Sequence, residues 1–101
     1  MIKSEFDSVI AAHELVLADF WASWCEPCKM LDAILVELQE GIPELYILKI
    51  DADQSDELKA HYHLMSVPVL MLFSKNKLLW RMNGFMMAGE LERKIRSLID
   101  R

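Results

Sequence analysis

Cysteine is scarce in this chain: there are two, Cys25 and Cys28, among 101 residues. A secreted scaffold held by disulfides spreads its cysteines to close long loops. A bridge across so few residues restrains little of the unfolded chain. The pair is therefore a poor staple, which leaves redox or metal chemistry as its use. Positive charge is also short, with 11 Lys and Arg against 16 Asp and Glu and a net charge of -5. That argues against nucleic acid or an anionic membrane as the main partner, since both select a basic surface. No apolar stretch approaches the length of a membrane span. The opening residues Met1 to Glu5 lack the apolar centre of a signal peptide and carry an early acid. The expectation is a soluble, unexported, cytoplasmic protein. Repeats, low-complexity tracts and linkers are missing as well.

What is present reads as one globular domain over residues 1–101. The hydrophobic fraction of 53% and charged fraction of 27% argue against disorder. A chain of this length buries about 65% of its unfolded surface, enough for one core. Phe6, Val9, Ile10 and His13 recur at helical spacing and predict a short amphipathic helix. Leu15 to Ala22 is an almost unbroken apolar run, the pattern of a strand buried on both faces. Met30, Leu31, Ile34, Leu35 and Leu38 mark one face of a second helix, which Gly41 and Pro43 stop. Leu45 to Ile50 predicts a strand ended by Asp51 to Asp53. Ser55 is placed to cap a short helix reaching about Tyr62. Val69 to Phe73 and Leu78 to Met82 predict strands joined as a hairpin by Ser74 to Lys77. Ala88, Leu91, Ile95, Leu98 and Ile99 form the apolar stripe of a last helix. Alternation first and a hairpin last imply an α/β fold with a mixed sheet and helices on both faces.

The segment Trp24-Cys25-Glu26-Pro27-Cys28-Lys29 falls between the first strand and the second helix. Free backbone N–H groups at a helix start favour an anion, so a thiolate there is stabilised. Helical spacing puts both sulfurs on one side of the first turn, close enough to bridge. Pro27 suits a first turn, which does not need its missing N–H. The first cysteine has the freer end and is expected to attack, and the second to resolve the mixed disulfide. A Cys-x-x-Cys pair is also half of a zinc site, with His61 and His63 as the remaining ligands if the fold brings them close. A purely structural short disulfide is the third reading.

These residues resemble the thioredoxin family. Asp19-Phe20-Trp21-Ala22-Ser23-Trp24-Cys25-Glu26-Pro27-Cys28-Lys29 looks like its active-site segment. Lys49-Ile50-Asp51 looks like its third-strand segment, Ser66-Val67-Pro68 like the loop whose proline is cis and faces the disulfide, and Gly84 like the glycine after its last strand. The match runs in order and spacing from about residue 6 to residue 100. It implies a three-layer α/β/α sandwich and reduction of protein disulfides through Cys25 and Cys28, with no cofactor. The implied partners are disulfide-containing proteins and a flavin-dependent reductase that recharges the pair. Asp19 shares strand parity with Leu15, Leu17 and Trp21, so burial should raise its pKa and let it pass protons to and from Cys28. The resemblance makes Lys49 a tuner of that acid. Ser66, Val67, Pro68, Trp24, Glu26, Pro27 and Gly84 become the substrate surface, where an extended segment pairs with the Val67 backbone. Met86 and Met87 are candidates for the same groove.

Four departures qualify the resemblance. Only five residues precede Phe6, so the family's N-terminal edge strand has no room. The expectation is about four strands, with the Leu45–Ile50 strand at an edge, in a monomer or an edge-strand dimer. Ala33 replaces a helix proline, and Lys77 replaces a turn glycine, which puts the hairpin geometry in question. Glu26 stands where the family has glycine. The competing function is a binding or assembly module that keeps the motif without general turnover. A carboxylate beside Cys25 disfavours a thiolate and makes the pair more reducing. Glu26→Gly is expected to raise the redox potential by up to about 30 mV. Equilibration against glutathione measures it, and an unchanged or lower potential contradicts the assignment.

Overall fold

The computed structural model describes residues 1–100. The chain runs α1 (Lys3–Ala12), β1 (Leu15–Trp21), α2 (Glu26–Gly41), β2 (Tyr46–Asp51), a 3-10 turn (Ala52–Gln54), α3 (Asp56–Tyr62), β3 (Val69–Ser74), β4 (Lys77–Asn83) and α4 (Ala88–Ile99). The described residues form a single sheet of four strands in the order β2-β1-β3-β4. β1 and β2 are parallel, while β3 is antiparallel to both β1 and β4. The sheet is therefore mixed, no strand precedes α1 among the described residues, and β2 is an edge, as expected.

β1 explains the layering. Its even residues Val16, Ala18 and Phe20 pack on α1 and α3 through Phe6, Ile10 and Leu58. Its odd residues Leu15 and Leu17 pack on α2 and α4 through Leu31, Leu35, Leu38, Leu91 and Ile95. A strand buried on both faces needs apolar residues at both parities, which is why the run from Leu15 is unbroken except at Asp19. Each fully buried Leu or Phe contributes about 1.5–3 kcal/mol. The ring of Phe6 lies 5.9 Å from Phe20, 5.7 Å from Phe73 and 5.6 Å from Tyr62, clamping α1 to the sheet.

Several local expectations change. Met30 is 58% exposed, because the inner face of α2 is set by Cys28, Leu31, Ile34, Leu35 and Leu38. His13 is the residue after α1, and its ring stacks on Tyr46 at 3.8 Å. Ser55 stands at the N-cap of α3 but makes no side-chain cap. Its hydroxyl instead donates to the Asp51 carbonyl at 2.7 Å, which closes the 3-10 turn. α2 runs unbroken through Ala33 for 16 residues.

The β3–β4 hairpin turns on Lys75 and Asn76, both with positive φ, at 49° and 67°. Lys77 is the first residue of β4 and pairs with Ser74. Two residues with positive φ are the signature of a type I′ turn, which favours Asn-Gly. Lysine in that region is strained, since its Cβ crowds the carbonyl. The combined change Lys75→Asn and Asn76→Gly should stabilise the protein by about 1 kcal/mol, read as a higher urea midpoint at unchanged m-value.

Candidate active site

The site is assembled at the carboxyl end of β1. The chain leaves the sheet at Trp21 and enters α2 at Glu26, with Cys25 as the N-cap residue. Cys25 and Cys28 form a disulfide with Cα atoms 5.3 Å apart. The Cys28 backbone N–H donates to Cys25 Sγ at 3.2 Å. Thus one of the free N–H groups of the first turn points at the first sulfur, and Pro27 has none to leave unpaired. The cysteines are equally buried, at 3% each, so access does not separate them and the helix terminus does. Ala22, Trp21 and Val67 pack around them.

Asp19 is on the α2 side of β1, two residues before Trp21, which packs on the pair. It is fully buried, and neither carboxyl oxygen has a hydrogen-bond partner. Burial pushes its pKa from 3.8 up to about 6, with Lys49 pulling it down and Asp32 pushing it further up. Lys49 is its register neighbour on β2, yet the Lys49 ammonium bonds Asp32 of α2. A pocket of about 200 Å³ beside Cys28 is lined by Trp21, Ala22, Ser23, Lys29, Asp32 and Lys49. It has room for a few waters at about 30 Å³ each.

Opposite the sulfurs is the loop before β3. The Val67–Pro68 peptide is cis, and the Pro68 carbonyl accepts the Gly84 N–H at 2.8 Å. Gly84 has φ 103°, a conformation that side chains disfavour. Ser66 and Val67 share a small cleft with Trp24, Asp53, Leu64 and Met65. Trp24 is 68% exposed, and its indole N–H donates to Asp53 at 2.8 Å. Asp53 is itself placed by its own N–H, which donates to Asp51. Glu26 points to solvent and pairs with Lys29 at 3.1 Å, which offsets part of its charge. Met87 lies in a cleft between α2 and α4 with Met30. Met86 turns away toward Trp80 and α4.

The structure therefore clusters Cys25, Cys28 and Val67, lines one pocket with Cys28 and Lys49, sets Asp19 beside Lys49 in register, and places Met86 and Met87 in other clefts. It also adds Asp32, Asp53 and Met65. Asp32 and Asp53 read in sequence as surface acids, and only their contacts with Lys49 and Trp24 distinguish them. Among the described residues, no group of three or more His, Cys, Asp and Glu is arranged to hold a metal. His61 lies against Tyr62 and His63 follows α3. No helix among the described residues is long and apolar enough to cross a membrane.

A dithiol pair at a helix start, carried on a mixed sheet between helix layers, defines a thiol–disulfide oxidoreductase. The thioredoxin family model matches residues 1–97, and the chain belongs to that family. It is 44% identical over 79 residues to a thioredoxin of Bacillus subtilis (strain 168), covering 77% of this chain and 76% of that one. It is 36% identical over 103 residues to a thioredoxin of Listeria monocytogenes, covering 98% and 100%. Among solved structures it resembles the oxidised mitochondrial thioredoxin 3 of Saccharomyces cerevisiae, with TM-score 0.86, 28% identity and coverage of 96% and 91%. It also resembles a mutant thioredoxin of Halobacterium salinarum NRC-1, with TM-score 0.85, 33% identity and coverage of 95% and 84%. Thioredoxins act on protein disulfides, and this chain is a protein-disulfide oxidoreductase.

The buried acid has a measurable signature. In the unfolded chain Asp19 titrates near 3.8 and in the folded chain near 6. Between those values the folded state holds the extra proton, so stability falls as pH rises through the window and levels off above it. Two units amount to roughly 3 kcal/mol. Urea unfolding of the oxidised protein from pH 4 to pH 7 should show this loss, and Asp19→Asn should remove it.

Proposed function

We infer that Cys25 is the attacking thiol, Cys28 the resolving thiol and Asp19 their proton exchanger, in a single domain that reduces protein disulfides. The observation that carries this is the N–H of Cys28 directed at Cys25 Sγ, with a buried carboxyl lacking partners on the strand that leads into the pair. A thiolate at Cys25 gains from the helix terminus. It attacks one sulfur of the substrate disulfide. That bond breaks, a Cys25–substrate bond forms, and the departing sulfur takes up a proton. Cys28 then gives its proton to the Asp19 carboxylate and attacks Cys25 Sγ; the Cys25–substrate bond breaks, and the second substrate sulfur leaves as a thiolate that takes up a proton from water. Two electrons pass from the dithiol to the substrate, leaving the disulfide seen in the structure. With a pKa of about 6, Asp19 is about nine-tenths ionised at pH 7, the form that accepts a proton.

The substrate surface is Trp24, Glu26, Pro27, Ser66, Val67, Pro68 and Gly84. An extended segment lies along the Val67 backbone by strand addition, and Trp24 and the exposed Met65 supply apolar contact. Lys49 tunes Asp19 electrostatically. A flavin-dependent reductase returns the electrons in the cytoplasm, and the free β2 edge fits either a monomer or an edge-paired dimer.

Reduction of a disulfide-bonded protein, with a small dithiol as donor, tests this reading. Cys25→Ser should abolish turnover. Cys28→Ser should accumulate a mixed disulfide through Cys25, seen by mass spectrometry. Wild-type protein without turnover would favour the binding-module reading. Asp19→Asn should slow the reaction at pH 7 at least about tenfold and erase the inflection near pH 6.

A further inference from the structure

Lys49 is the natural partner for Asp19. The two residues sit side by side in register on β1 and β2, and their side chains share the face covered by α2. An ammonium next to a buried carboxylate in an apolar setting gains strongly from pairing with it. Yet both Asp19 oxygens are without a hydrogen bond, and the Lys49 ammonium is bonded to Asp32. Asp32 follows Cys28 by one helical turn on α2, so the two share a flank. Both line the pocket of about 200 Å³ that also takes in Lys49.

We propose that Asp32 is a positioning residue for the thiol chemistry: it holds the Lys49 ammonium at the pocket rim and leaves the Asp19 carboxyl without a counter-ion. This rests on the reading of Asp19 as the proton exchanger of Cys28. Released from Asp32, Lys49 would turn inward and pair with Asp19. The carboxylate would then be a weaker base for the Cys28 proton. Few other groups reach Asp19. β3 presents Leu70 opposite it, and α4 presents Ala88, Leu91 and Ile95. α2 adds Cys28 and, at the pocket wall, Lys29, which is already paired with Glu26. Burial raises the Asp19 pKa most, Lys49 lowers it and Asp32 raises it. The direct effect of the Asp32 charge has the same sign as its hold on Lys49, so the two must be separated.

The experiment is an NMR titration of the Asp19 carboxyl in the oxidised protein, paired with the pH–rate profile of disulfide reduction. It uses wild type, Asp32→Asn, Lys49→Gln and the double variant. Asp32 and Lys49 are both partly exposed, and urea midpoints check that each variant folds. Asp32→Asn should lower the Asp19 midpoint by about one pH unit and move the rate inflection with it. In the Lys49→Gln background the same change should move the midpoint by about a few tenths at most. An unmoved midpoint in Asp32→Asn overturns the proposal, and so does an equal shift in both backgrounds. A midpoint that moves while the rate profile stays fixed leaves the hold of Asp32 on Lys49 standing, but overturns its role in the thiol chemistry and removes Asp19 from the reaction.

Discussion

The start of α2 is the constraint on which the site depends. A helix leaves its first N–H groups without intrahelical partners, and here one of them meets Cys25 Sγ. β1 fixes where that helix begins, because the chain can leave the sheet only after Trp21. The dithiol is thus positioned by two of the most deeply packed elements of the fold. The Pro68 loop completes the arrangement from the other side, held by the hydrogen bond between its carbonyl and Gly84. None of the reacting groups is placed by a free loop alone.

The second determinant is electrostatic. A carboxyl group buried without partners would ordinarily be expelled or neutralised. Asp19 is nonetheless held inside, fully buried with both oxygens unpartnered. Its neighbours are arranged so that the nearest cation is engaged elsewhere. The protein accepts reduced stability at neutral pH in return for a group that titrates close to neutrality. Such perturbed groups concentrate where proton transfer is needed.

Much of this was legible in the sequence, for identifiable reasons. β1, α2 and α4 carry strong periodicity or continuous apolar runs, and their spans agree with the pattern to within a few residues. Among the described residues β2 is an edge strand, as expected. Cys25, Cys28 and the burial of Asp19 were readable because spacing and strand parity are local. What was not legible depends on contacts between elements. Asp32 is one more acid on a charged helix until Lys49 is seen bonded to it. Asp53 is one acid in a run of several until it accepts the Trp24 N–H. Met30 fits an apolar stripe by spacing, but the inward direction of α2 is set by Leu31 and Leu35. The Lys75–Asn76 turn has no glycine to mark it, so its left-handed geometry is visible only in the backbone.

β1 faces two separate cores, and Asp19 stands on only one of its two faces. Asp19 and Trp21 share the side of Leu15 and Leu17, while Val16, Ala18 and Phe20 point into the other core with Phe6 and Phe73. Parity therefore divides one seven-residue strand into two packing compartments. Substitutions at the even positions can drift with the packing of α1 and α3 and change how firmly the domain holds together. Among the odd positions, Trp21 packs against the dithiol pair. The durability of such a protein can thus be retuned through one side of the sheet without touching the side that carries Asp19.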